Sequence, residues 1–164
     1  MAYIRARGVA LRRTAYHLCG DWHGADDLVQ EAATRLYLNW GRVSEFESLD
    51  AYARKILIRV YLAQARRAWF RRTVSTAEPP ERPLPAGYDS TEHLDLMAAL
   101  DQLSAGQRAV VVLRYLEDQS ISETARALRC STGSVKSQGS RALARLRQLL
   151  PGYIVAAPDT ATRS

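Results

Sequence analysis

The sequence predicts an all-α protein: two small helical domains joined by a proline-rich linker. Three features point there. Apolar residues recur at helical spacing through both halves of the chain. Four of the six prolines, Pro79, Pro80, Pro83 and Pro85, fall within seven residues, where they block helix and favour an extended spacer. No convincing pair of strands can be drawn. The length of 164 residues suits one large domain or two small ones, and 47% hydrophobic with 24% charged residues is a globular composition.

The elements follow in order. Ile4, Leu11, Ala15 and Leu18 share one helical face. Leu28, Val29, Ala32, Leu36 and Trp40 make a second stripe. Leu49, Tyr52, Ile56, Val60 and Ala63 make a third, running on to about Arg72. Gly41 breaks the chain between the second and third helices, and polar residues follow to Ser48. The first domain is expected at residues 1–73, the linker at 74–91, the second domain at 92–150 and a loose tail at 151–164. In the second domain, Leu94, Met97, Ala98 and Leu100 suit a short helix, and residues 107–116 another. Val110, Val111 and Val112 have strand propensity, but the residues on either side favour a buried helix.

Residues 120–149 carry the sharpest local signal. Ser120 can cap a short helix, Ile121–Leu128, with Glu123 at capping-box spacing. Arg129 and Cys130 form the break, and Ser131 caps the next helix. There Val135, Ala142, Leu143, Leu146 and Leu149 keep an apolar stripe. Ala125 sits where two steeply crossing helices need a small residue, and Leu128 and Val135 are spaced to close the core. A residue after Leu128 is expected at positive φ, where Arg129 costs roughly 1–2 kcal/mol relative to glycine. The other face of the second helix shows Thr132, Ser134, Lys136, Ser137, Ser140 and Arg141. These are short donors and cations near a helix N-terminus, the part that enters a major groove. The same face also reads as a solvated surface of a helical hairpin, the lesser of the two readings on spacing alone.

Charge narrows the partners. Lys and Arg number 23 against 17 Asp and Glu, a net charge of +6, and the isoelectric point is near 9.7. That balance favours an acidic partner, nucleic acid before an anionic membrane. Only Lys55 and Lys136 are lysines. Arginine makes bidentate contacts with phosphate and guanine, although a GC-rich coding sequence also replaces lysine with arginine. The first domain holds the excess, with thirteen cations against seven acids, while the second has eight against six. The apolar run at residues 109–113 is far short of the roughly 20 residues of a spanning helix. The early arginines Arg5, Arg7, Arg12 and Arg13 interrupt any signal peptide. Cys19 and Cys130 make no disulfide framework and suit reduced thiols in a cytoplasm. His17, Cys19 and His23 lack both a common face and a fourth ligand for a metal. No phosphate-binding loop, dinucleotide glycine pattern or nucleophile elbow is present, so neither an enzyme nor a cofactor is expected.

The stretch "LSAGQRAVVVLRYLEDQSISETARALRCSTGSVKSQGSRALARLRQLL" resembles region four of the extracytoplasmic-function sigma factors of bacterial RNA polymerase. "GDWHGADDLVQEAATRLYLNW" resembles their region two, and the small actinobacterial SigE group is the most similar. The resemblance covers about residues 1–150, with both motifs in order around the linker. It implies a region-two bundle and a region-four helix-turn-helix, with core RNA polymerase and promoter DNA as partners and no membrane. Region two would dock on the clamp helices of the largest subunit and capture the unwound −10 element. Region four would read the −35 element and touch the flap. Carried over, Asp27, Leu28, Gln30, Glu31 and Arg35 fall on the polymerase-docking helix. Asp27, Glu31 and Arg35 share a face at i, i+4, which by itself is also what a solvated, salt-bridged surface looks like. The unwound strand would meet residues 43–48 and the third helix, where Arg54, Lys55, Arg59, Arg66, Arg67 and Trp69 are the candidate contacts. Arg71 and Arg72 continue its cations, and Tyr52, Tyr61 and Phe70 interleave with them. Cations track a single strand and aromatic faces stack on its bases, though each aromatic also reads as core, Tyr52 above all. Whether an anti-sigma factor exists stays open. Two rival readings are a free-standing helix-turn-helix regulator and a helical adaptor or regulatory partner without a DNA role. The first leaves the Asp-Leu-Val-Gln-Glu helix unexplained, and the second leaves the face from Lys136 to Arg141 unexplained.

Overall fold

A computed structural model describes residues 2–42, 48–74 and 90–152, with side chains from residue 5 onward. The chain divides into two compact units, Met1–Gly87 and Tyr88–Ser164, and each is described by itself. Residues 75–89 of the expected linker, the loop at residues 43–47 and the tail beyond Gly152 lie outside the described residues; Val74 and Thr91, expected in the linker, are helical. Every regular element among the described residues is helical.

In the first unit, α1 (Ala2–Cys19) ends at Gly20, whose φ of 86° is the left-handed cap that glycine adopts at least cost. Gly20 N–H donates to Tyr16 O at 2.8 Å. Asp21 then starts α2 (Trp22–Leu38), its carboxylate accepting from Gly24 N–H at 2.6 Å. Asn39 closes α2, its side-chain amide donating to Arg35 O at 2.8 Å, and a 3-10 turn follows over Trp40–Arg42. Ser48 opens α3 (Leu49–Val74) by accepting from Ala51 N–H. The three helices pack on one another around Ala15, Tyr16, Leu18, Ala25, Leu28, Leu36, Leu57 and Val60, all buried. A polar clip joins α1 to α2. Trp22 stacks on Tyr16 at 4.1 Å, and the Arg12 guanidinium lies over Trp22 at 4.5 Å. Arg12 also donates to Asp26 through Nε and Nη2. That hydrogen bond, with the guanidinium's charge behind it, lowers the Asp26 pKa below its ordinary 3.8.

The second unit has α4 (Thr91–Asp101), α5 (Ala105–Val111), α6 (Ile121–Leu128) and α7 (Thr132–Leu149). Serine caps α4, α5, α6 and α7, namely Ser90, Ser104, Ser120 and Ser131. Ser104 with Gln107 and Ser120 with Glu123 complete capping boxes. The valines lie in α5 and the π-helical turn Val112–Leu116 that continues it, all buried, so the helical expectation holds over the strand. Arg129 stands at φ 55°, the left-handed residue expected between α6 and α7. Cys130 N–H reaches back to Ala125 O at 3.1 Å. Val110, Ala125 and Val135 form the core of the hairpin, with Ile121, Leu128 and Cys130 packed against them.

Several stripe residues differ from expectation. Trp40 is 52% exposed because α2 stops at Leu38 and the 3-10 turn swings it off the helical register. In α4, Leu94 and Ala98 face solvent; the helix turns Met97, Ala99 and Leu100 inward, about a quarter turn or more away. In α3, Leu49, Tyr52 and Ala63 are only half-buried. Packing against both α1 and α2 widens its buried side to Ala53, Ile56, Leu57, Ile58 and Val60. The Ile4 side chain lies outside the described residues.

Candidate functional site

Three polar or cationic faces emerge once the cores are assigned. The first is the outward side of α2. Asp27, Gln30 and Arg35 are exposed and Glu31 is half-buried, so these four are available to a partner. Leu28 is not. It is 0% exposed and holds α2 in the bundle, which corrects its assignment as a docking residue. Glu31 is fixed from two directions. Its Oε1 accepts from Arg35 Nη2 at 2.7 Å, and its Oε2 accepts from Gln64 Nε2 on α3 at 2.7 Å. A carboxylate held this way offers a preset geometry rather than a mobile charge. Asp27 lies 3.7 Å from His23 Nε2, one turn back along the same face.

The second face runs along α3. At 100° per residue, Lys55, Arg59 and Arg66 line one side, with Trp69 and Phe70 continuing it. Arg54 and Arg67 fall on the two edges, so the helix does not bring all six sequence candidates to a single line. Lys55, Arg54 and Arg59 are half-buried, and the Lys55 ammonium sits 5.0 Å over the Tyr52 ring. Trp69 and Phe70 are 62% and 65% exposed and meet edge-to-face at 6.2 Å. Two large aromatics left outside the core, between Arg66, Arg67, Arg71 and Arg72, are available for stacking. The sequence left Trp69 open between core and surface, and the structure puts it on the surface. Residues 43–47, most of the loop expected to meet the same strand, lie outside the described residues.

The third face is on α7. Val135, Gly139, Ala142, Leu143 and Leu146 turn inward, which leaves Thr132, Lys136, Ser137, Ser140 and Arg141 exposed and Ser134 half-buried. Ser137 Oγ donates to Ser134 O at 3.3 Å, and Ser134 N–H donates to Ser131 Oγ at 3.1 Å. Helical geometry adds residues that the sequence reading missed. Gly133, Ser137, Ser140 and Ala144 succeed one another at i, i+4, i+7 and i+11, so small side chains line the middle of the exposed face. Lys136 and Arg147 border this seam on one side, Arg141 and Arg145 on the other. Such a face lets the helix axis approach a partner closely while cations reach past both flanks. The signal for Gly133, Ala144, Arg145 and Arg147 was present in the spacing once the apolar stripe was known.

Among the described residues no group of three or more His, Cys, Asp and Glu is placed to hold a metal ion. No helix there is long and apolar enough to cross a membrane.

Known proteins resemble this chain in both of its units. Residues 3–71 match the family model "Sigma-70 region 2", and residues 93–146 match "Sigma-70, region 4". The chain is 42% identical over 156 residues to the RNA polymerase sigma-E factor of Streptomyces coelicolor, covering 90% of this chain and 84% of that one. It is 32% identical over 160 residues to the ECF RNA polymerase sigma factor EcfG of Rhodopseudomonas palustris, covering 95% and 86%. Among solved structures it is similar to the sigma factor RpoE in complex with the anti-sigma factor NepR from Bartonella quintana. The TM-score is 0.77 at 29% identity, over 92% of this chain and 95% of that one.

Proposed function

Because the chain belongs to the extracytoplasmic-function sigma factors of bacterial RNA polymerase, we propose that its two units divide promoter engagement between them. As a sigma factor it binds core polymerase and directs transcription initiation at promoters. In this reading residues 1–73 dock on the polymerase through Asp27, Gln30, Glu31 and Arg35 of α2. The same domain holds the unwound −10 strand on α3, where Lys55, Arg59 and Arg66 follow the backbone and Trp69 stacks on bases, with Arg54 and Arg67 at the edges. Residues 92–150 read the −35 duplex through Thr132, Ser134, Lys136, Ser137, Ser140 and Arg141, and residues 74–91 join the two. The chain works by binding, with no bond made or broken by its own side chains, and acts in the cytoplasm where its polymerase is. An anti-sigma partner, as NepR is for RpoE, would act by covering these faces.

The observation that carries the reading is the division of α7: one side closes the hairpin core while the other presents a small-residue seam between cations. A free-standing regulator would need that face alone. It would have no use for the preset Glu31 or the exposed Trp69–Phe70 pair on the other unit. Transcription in vitro with core polymerase and a −35 library tests the reading. Co-purification with core and promoter-dependent transcripts are expected. Duplex binding that is indifferent to core, with no transcript from any promoter, would overturn it.

A further inference from the structure

The end of α2 carries a concentration of apolar surface that the fold itself does not use. Tyr37, Leu38 and Trp40 are 71%, 74% and 52% exposed, three large side chains within four residues. The turn that bears them is closed: Asn39 donates to Arg35 O through both its backbone N–H and its side chain. Leu38 is therefore presented from an ordered turn of helix. Its register is the notable point. Asp27, Glu31, Thr34 and Leu38 follow at i, i+4, i+7 and i+11, the spacing of one helical seam. This seam points away from Leu28, Ala32 and Leu36, the buried side of α2. A row of polar side chains thus ends in a leucine that is left largely exposed.

We infer that Leu38 is the apolar anchor of the surface by which α2 engages core polymerase. The inference rests on the proposed docking role of Asp27 and Glu31 and extends it by continuity along the seam. The complementary surface on the polymerase would carry a cation opposite the two carboxylates and an apolar recess opposite Leu38, one helical turn past Thr34. Interfaces of this kind are dominated by a few fully desolvated side chains surrounded by polar contacts that exclude water. Asp27, exposed in the free protein, and Glu31, half-buried and held by Arg35 and Gln64, set register and encounter; Leu38 supplies the burial that slows release.

The test measures equilibrium binding of the full chain to core polymerase without DNA, which keeps the promoter-contacting faces out of the readout. Thermal melting is run alongside; at 74% exposure, Leu38 substitutions are expected to leave it unchanged. Leu38→Asp is expected to weaken binding about tenfold or more, the equivalent of losing one buried leucine. Leu38→Met, which keeps the apolar volume, is expected to stay within about threefold of wild type. Asp27→Arg with Glu31→Arg serves as the reference for the docking face. Wild-type affinity in Leu38→Asp, with binding lost on charge reversal, overturns the anchor and leaves the face standing. Wild-type affinity in both removes face and anchor together. A loss in Leu38→Asp with charge reversal harmless supports the anchor and confines docking to the apolar end of α2.

Discussion

Arg129 shows how one residue separates stability from function. At φ 55° a side chain pays a local steric cost of roughly 1–2 kcal/mol relative to glycine, and the turn between α6 and α7 requires that conformation. Cys130 N–H can reach Ala125 O only if residue 129 turns the chain this way. Glycine would relieve the strain but would also loosen the unfolded chain, which returns roughly 0.4–1 kcal/mol. Arg129→Gly is therefore expected to raise the stability of the second unit by about 0.5–1 kcal/mol, read as the midpoint of urea unfolding. Arg129→Val is expected to lower it, because a branched side chain tolerates the left-handed region worst. A midpoint that falls in the glycine variant would show that the arginine side chain makes contacts worth more than the strain it carries.

At the scale of the element, α7 is the helix whose two sides answer to different partners. Its exposed seam of Gly133, Ser137, Ser140 and Ala144 has no long side chain to hold a groove at a distance. Ser140→Leu is expected to reduce use of a −35 promoter by the holoenzyme at least tenfold while leaving the melting curve in place, since Ser140 is exposed. Lys136→Ala is expected to lower affinity on all sequences alike and to reduce the salt slope by about one, as loss of a phosphate contact does. If Ser140→Leu transcribes as wild type, α7 does not sit in the groove by this seam. The hairpin around α7 was legible in the sequence because its signals are local: Ser120 with Glu123, Ser131 and the break at Arg129 each act within one turn. Where burial depends on a distant neighbour, local spacing was a weaker guide. Leu94 and Ala98 have the spacing of a stripe, yet α4 offers a different side to its neighbours. Ile58 lies off the stripe read from α3 and is nonetheless buried, because α3 packs against two helices rather than one.

For the molecule as a whole, the same distinction governs the candidate site. Charge on α2 and α3 could be counted from the sequence, but which of those charges faces outward together depends on how each helix is rotated in its bundle. Leu28 went into the core, Arg54 and Arg67 moved to the edges of the α3 face, and Leu38 came to the surface. The two units have separate cores: Leu28, Leu57 and Val60 lie in the first, and Val110, Ala125 and Val135 in the second. Separate cores predict separate unfolding. Leu57 is 0% exposed, and truncating a buried leucine to alanine costs about 2–5 kcal/mol. In a helical unit of this size that loss lowers the melting temperature by on the order of 10 °C or more. Leu57→Ala is therefore expected to shift one calorimetric transition of the full chain and leave the other where it was. The assignment is checked by Val135→Ala, which should move the second transition alone. A single transition that shifts as one peak in both variants would show that the units share their stability, and that a partner gripping one of them also acts on the other.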